Sequence, residues 1–321
     1  KQRGDLQLAA LLGAARLSAA IAPAAARGQG LRCRRCGSGG CSEDRWQQTA
    51  LTLATTHQLM RFQEAFDLVL IDELDAFPYH NDPMLHHAAA AARKPDGATV
   101  LLSATPPAHL RRATRRGRLP HAKVPVRYHR HPLPVPRPIR MPPLHRLLGA
   151  PGGKAKLPAS LLQAVGGSVT RGAQVFVFVP FIRQIEPLVR RLRLQAAAWS
   201  IPAEAIDGTS SKDDERRDKV VAFRDRQLRV LVTTTILERG VTVPRSDVFI
   251  LDAHQSMFDE AALVQMAGRA GRSADDPAGR VYFCSAYHSS SQRGAIGQIR
   301  MMNRLAKTGG YLIGAEAEGR S

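Results

Sequence analysis

Asp67-Leu-Val-Leu-Ile71, followed at once by Asp72-Glu73-Leu74-Asp75, decides how the rest of the chain is read. Four of the first five residues are apolar, which predicts a buried parallel strand with the acidic cluster at its carboxyl end. Open α/β sheets bind ligands beyond the carboxyl ends of their strands, so three carboxylates in four residues mark a candidate site. Hard cations such as Mg²⁺ take oxygen ligands, usually one or two carboxylates together with phosphate oxygens. Asp72 is placed to hold such a metal and Glu73 to take a proton from an attacking water. The same cluster alone would equally suit an acidic loop capping the next helix.

Working outward, hydroxyl residues follow the neighbouring strands. Thr52-Leu-Ala-Thr55-Thr56-His57-Gln58 reads as a strand whose Thr55 and Thr56 can cap a helix, a place where phosphate can bind. A long Ala-rich helix is expected near Met84–Arg93. Thr99-Val-Leu-Leu102 then runs into Ser103-Ala-Thr105-Pro106, whose hydroxyls would face the acidic cluster and relay its state to a nucleic-acid groove. Arg111, Arg112, Arg115, Arg116 and Arg118 place five guanidiniums in eight positions, a phosphate-tracking patch or a solvated face.

Composition agrees with a polyanion partner. Lys and Arg number 46 against 27 acidic residues, a formal charge of +19 over 321 residues. Four cysteines, three of them at Cys33, Cys36 and Cys41, make no disulfide framework. Cys33-Arg-Arg-Cys36 has the spacing of half a zinc site with Cys41 as a third ligand, but a second pair is missing. The Ala-rich stretch from Leu6 to Ala26 is broken by Gly13, Arg16 and Pro23, and neither spans a bilayer nor shows a cleavage site. The chain begins with Lys1, as a fragment would.

Eight prolines between Pro120 and Pro143, interleaved with basic residues, predict an extended connection over 119–147. Beyond it strands and helices alternate again: Gln174–Val179, helix Ile182–Leu194, helix Lys212–Phe223, Leu228–Thr233, Val248–Asp252, a helix from Glu260, and Arg280–Cys284. Alternation of this kind means a parallel sheet with right-handed crossovers. The expected fold is α/β with two parallel-sheet domains: an unassigned segment 1–41, a first domain over 42–118, the linker 119–147, and a second domain over 148–321. Two motifs mark the second domain. One is Thr233-Thr-Thr-Ile-Leu-Glu-Arg239-Gly240; the other is Gln265-Met-Ala-Gly-Arg269-Ala-Gly-Arg272. Continued as a helix, the latter would set Arg269 and Arg272 on one face with Gln265, two guanidiniums suited to a triphosphate.

In this order D-E-L-D, S-A-T-P, T-T-T-I-L-E-R-G and Q-M-A-G-R-A-G-R resemble motifs II, III, V and VI of superfamily 2 helicases. Ser42-Glu-Asp-Arg-Trp46, Ala54-Thr-Thr-His-Gln58, Asp72–Tyr79, Thr233–Arg272 and Gln298–Asn303 are more specifically similar to ComFA, the late-competence ATPase of bacterial DNA uptake. The resemblance covers roughly residues 42–306. It implies two RecA-like domains with ATP in the cleft between them, and single-stranded DNA entering through the ComEC channel with other competence proteins as partners. It also implies a place at the cytoplasmic side of the membrane. Carried over, Asp72 and Glu73 serve Mg²⁺ and water; Ser103 and Thr105, with Thr55, Thr56 and Thr233, couple to DNA. Arg239 and Gly240 reach nucleotide or DNA, and Gln265, Arg269 and Arg272 face the γ-phosphate, Arg272 as the arginine finger. PriA-like restart helicases share the motifs but not the Ala76-Phe-Pro-Tyr79 continuation.

One departure sets a second expectation. No G-x-x-x-x-G-K-[ST] loop occurs, and Gly149-Ala-Pro-Gly-Gly153-Lys154-Ala155 has the wrong spacing and the wrong place. The zinc module of the family normally carries two Cys pairs. A first domain lacking its opening strands is therefore expected, whether by truncation, rearrangement or a misread frame, and residues 1–41 carry no functional transfer. A DNA-binding or scaffold protein without ATP turnover stands beside the translocase as the alternative.

Overall fold

The computed structural model describes residues 19–22, 33–35, 51–149, 156–235 and 243–313. Two compact units divide the chain, residues 1–122 and 123–321.

In the first unit the strands are β1 (Ala19–Ala22), β2 (Cys33–Arg35), β3 (Leu51–Ala54), β4 (Phe66–Ile71) and β5 (Arg93–Leu101), in sheet order β2-β3-β1-β4-β5. β4 and β5 are parallel, as are β2 and β3, but β1 runs antiparallel to both of its neighbours. This sheet is therefore mixed rather than purely parallel. Helix α1 (Pro83–Ala92) starts where its sequence dictates. Pro83 occupies the first turn, and Asp82 accepts from Met84 N at 2.9 Å and from Leu85 N at 3.4 Å. Its Leu85, Ala88, Ala89 and Ala92 pack on Phe66, Val69 and Ile71 of β4, so the strand bearing the acidic cluster is held from one side by a small-residue face. Helix α2 (Ala108–Arg115) has no buried residue.

The second unit is a six-stranded sheet ordered β6-β11-β10-β7-β9-β8, parallel at every pairing. Its strands are β6 (Arg137–Arg140), β7 (Gln174–Phe178), β8 (Ile206–Thr209), β9 (Val230–Thr233), β10 (Ser246–Leu251) and β11 (Val281–Ser285). Its helices are α3 (Leu144–Leu148), α4 (Ala159–Thr170), α5 (Ile185–Arg193), α6 (Arg216–Arg224), α7 (Glu260–Ala267) and α8 (Ser290–Thr308). Strand periodicity divides the interior in two. Val175 and Val177 face α4 and α5, whereas Phe176 and Phe178 face Phe223, Leu263, Met266 and Ile299 of α6, α7 and α8. Both faces being covered explains why β7 and β10 are buried at every position.

Dense proline over 119–147 predicted an extended connection; residues 137–140 instead form the edge strand β6, and 144–148 a short helix. Pro138 is tolerated because, among the described residues, β6 pairs on one side only, with β11. Buried Asp252 receives Leu144 N on both carboxylate oxygens, at 3.0 and 3.1 Å, which anchors the start of α3. Burial raises the pKa of that carboxyl. At the end of α4, Arg171 donates Nε to Asp247 Oδ2 at 3.0 Å and Nη1 to Asp276, so one guanidinium ties the helix to β10 and to the loop after residue 272. Among the described residues no helix is long and apolar enough to cross a membrane.

Candidate functional site

Strands β4 and β5 lie side by side and their pairing continues past their carboxyl ends, through Leu102 N to Ile71 O at 2.8 Å and Leu74 N to Leu102 O at 3.2 Å. That continuation brings the acidic cluster against the hydroxyl motif. Ser103 Oγ donates to Asp75 Oδ1 and Thr105 Oγ1 to Asp75 Oδ2, both at 2.7 Å, while Ser103 Oγ accepts from Thr105 N at 2.9 Å. Asp75, the last carboxylate of the cluster, is the acceptor that joins the two motifs. Residue types in the sequence point to Asp72 and Glu73 but give no sign of this role for Asp75.

Asp72 is half-buried, and its Oδ1 accepts from Glu73 N at 2.9 Å. Glu73 is exposed with φ 51°, a left-handed conformation that costs a non-glycine residue energy and that clusters at functional sites. Hard carboxylate oxygens at the end of a parallel strand fit a magnesium-bound phosphate. Among the described residues no three His, Cys, Asp or Glu side chains gather as a metal-ligating group, so phosphate oxygens would complete such a sphere. Thr55 is exposed at the start of a 3₁₀ turn, Thr56–Arg61, where Gln58 Oε1 accepts from Thr55 N at 3.3 Å; Thr56 is buried. The five arginines of 111–118 are all exposed.

In the second unit the Gln265–Arg272 motif is not one helix. α7 ends at Ala267, and Gly271 has φ 61°. The helical spacing of Gln265, Arg269 and Arg272 continues in sequence past a backbone that has already turned. Gln265 stays on α7 and is half-buried, Arg269 is 3% exposed, and Arg272 is half-exposed. Ser246 Oγ donates to Arg269 O at 2.8 Å, and Arg272 Nε donates to Gly268 O at 2.8 Å. An added Cβ at Gly271 would stand 2.6 Å from Pro277 O.

Beneath this turn lie three residues that the sequence gave no reason to single out. Arg127 donates to the carbonyls of Gly268 and Ala270, at 2.9 and 2.6 Å, and also to that of Gly271. His129 Nε2 lies 3.0 Å from Gly271 O, and Tyr128 Oη donates to Arg272 O at 3.3 Å. Burial, and then the neighbouring Arg272, push Arg127 down to about 10, so it stays charged at neutral pH. Burial likewise lowers His129.

At the carboxyl ends of β7 and β9 an open cavity of about 620 Å³ is lined by Phe181, Arg183, Lys212, Thr234, Thr235 and Met257, among others. The Arg183 guanidinium sits over the Phe181 ring at 4.6 Å. Thr233, expected to couple to DNA, is instead fully buried as the last residue of β9, and its Oγ1 donates to Thr234 O at 3.3 Å; the two following threonines line the cavity. Four separate stretches build this groove, so spacing within any one of them could not disclose it. Cys36, Cys41, Arg239 and Gly240 lie outside the described residues, as do residues 150–155 of the Gly-Lys decoy. Cys33 opens β2.

Residues 155–274 match the helicase conserved C-terminal domain. The competence protein ComFA of Streptococcus pneumoniae is 39% identical over 259 residues, which is 81% of this chain and 58% of that protein. ComFA of Bacillus subtilis is 39% identical over 268 residues, 83% of this chain and 55% of that protein. The chain thus spans somewhat over half the length of these relatives. Among solved structures, Mycobacterium smegmatis helicase Lhr bound to ssDNA and AMP-PNP is similar in fold. It gives a TM-score of 0.56 at 17% identity, over 87% of this chain and 37% of that one. With that identity to the two competence proteins running through both units, the chain is a ComFA-like protein of the superfamily 2 helicases.

Proposed function

We propose that this chain grips single-stranded DNA as part of an ATP-driven translocase of DNA uptake. The observation that carries the reading is the groove at the ends of β7 and β9. Arg183 and Lys212 supply backbone-neutralising charge there, Thr234 and Thr235 supply hydroxyls, and Phe181 offers a face on which a base can stack. The exposed arginines of 111–118 give the first unit a basic surface of its own. In this reading the strand is the one delivered through ComEC, and the protein works at the cytoplasmic side of the membrane.

Turnover divides between the units. Asp72 would hold Mg²⁺ and Glu73 would take the proton of the attacking water. From the second unit Arg272, with Arg269 and Gln265, would meet the charge of the transferred phosphoryl group. Asp75 would pass the state of that cluster to Ser103 and Thr105. What the 321 residues do not contain is the glycine-rich loop and lysine that hold the β- and γ-phosphates. Phosphoryl transfer depends mostly on positioning, so this polypeptide binds DNA while hydrolysing ATP at background level. Titration of a labelled oligo-dT at several salt concentrations tests the DNA reading. Log affinity should fall linearly with log salt, and absence of binding at low salt refutes it.

A further inference from the structure

Arg127 lies 141 to 144 residues before the carbonyls it serves, yet its guanidinium fans across three of them in one turn, those of Gly268, Ala270 and Gly271. Among the described residues no carboxylate pairs with it. Its charge is met by the carbonyl end of α7, where the helix dipole favours a cation. His129 fixes the same turn from the next side. Its Nδ1 accepts from His131 N at 3.2 Å, which leaves Nε2 to carry the proton toward Gly271 O. Gly268 O is shared, accepting Arg127 Nη2 at 2.9 Å and Arg272 Nε at 2.8 Å.

We propose that Arg127, aided by His129, is a positioning residue for Arg272. It fixes the backbone of 268–271 so that Gly268 O is aimed to hold the Arg272 guanidinium before any nucleotide is bound. A planar fork can serve three carbonyls from one buried point, which a lysine ammonium on a flexible stem does not reproduce. The significance of that order rests on the proposed role of Arg272 in turnover, but the order itself does not.

The test is therefore made without nucleotide or DNA, on the full chain labelled with ¹⁵N-arginine, reading hydrogen exchange at the Arg272 Nε–H. Arg127→Lys should speed that exchange about tenfold or more, the factor expected from losing a charge-assisted hydrogen bond. Arg193→Ala is the control: it cuts the bond from Arg193 Nε to Ile206 O at the far edge strand and should leave the Arg272 signal unchanged. If Arg127→Lys fails to fold, His129→Gln should still accelerate exchange in the same direction. Wild-type protection of Arg272 in the variant that folds overturns the proposal, as does an equal acceleration in Arg193→Ala. Should Arg127→Lys release Arg272 while Arg272→Ala leaves the turnover of an ATPase-competent chain intact, the role in turnover fails and the positioning stands.

Discussion

Asp75 accepts the hydroxyl of Thr105 on one carboxylate oxygen at 2.7 Å while Ser103 occupies the other at the same distance. One side chain at the end of β4 thereby binds the segment leaving β5. Asp75→Ala removes the carboxylate acceptor that two half-buried hydroxyls share and should cost the first unit about 1–3 kcal/mol. Asp75→Asn keeps one acceptor and should lose less. Denaturant unfolding followed by a probe in that unit measures both; equal stability of wild type and Asp75→Ala would show that the clasp contributes nothing.

Gly271 stands at φ 61° with Pro277 O close to where a side chain would begin. Gly271→Ala should destabilise the second unit by about 1–2 kcal/mol from backbone conformation alone, and further from the clash. Thermal unfolding reads this, and an unchanged midpoint contradicts it.

Removing groove charges should act on the salt dependence of DNA binding before anything else. Arg183→Ala and Lys212→Ala should each flatten the slope of log affinity against log salt by about 0.7. Phe181→Ala should weaken binding by about 1–3 kcal/mol with the slope retained, because stacking releases no counterion. Identical slopes in wild type and both charge variants would move the interface elsewhere.

ATP turnover separates the two readings of the chain. The polypeptide as it stands should hydrolyse ATP at background, and a chain supplied with a Gly-x-x-x-x-Gly-Lys-Thr segment should gain DNA-stimulated hydrolysis. Glu73→Gln and Arg272→Ala should each abolish that gain. Robust hydrolysis by the present chain, lost in Glu73→Gln, would reveal a phosphate site that the motif does not describe.

How much of this was legible depends on whether a feature lies within one stretch of chain. The apolar run into Asp72 could be read because its residues are contiguous, although β4 is covered on one face and Leu68 and Leu70 are only half-buried. Arg269 and Arg272 were misread as a helical face because the i, i+3 spacing survives in sequence although the helix stops before Gly268. β8 escaped notice since Ile206-Asp-Gly-Thr209 offers one large apolar residue. α4 was hidden by its paired glycines; Gly166 is there for packing, its missing Cβ leaving room for the Trp199 indole. The groove and the Arg127 fan are each assembled from segments far apart, and no periodicity records them.

His129 adds a pH dependence. Its folded pKa lies below the unfolded value of roughly 6.5 because burial disfavours the charged ring. The unfolded chain then takes up the proton first, so stability is intact above that value and falls as pH drops below it. Arg127 and His131 oppose protonation further, while the bond to Gly271 O favours it. In His129→Gln the slope of unfolding free energy between about pH 6.5 and 5 should be shallower than in wild type. Equal slopes would assign the acid sensitivity to other groups.

The distance in sequence between Arg127 and its acceptors has a consequence for biosynthesis. At ribosomal rates of ~5–20 residues per second, roughly 7–29 s pass between the emergence of Arg127 and that of the turn 141–144 residues later. β6 waits equally long, since β11, its neighbour in the sheet among the described residues, is made after that turn. The leading segment of the second unit therefore leaves the ribosome first and docks last. The lock on Arg272 closes only when translation has passed nearly the whole of the sheet.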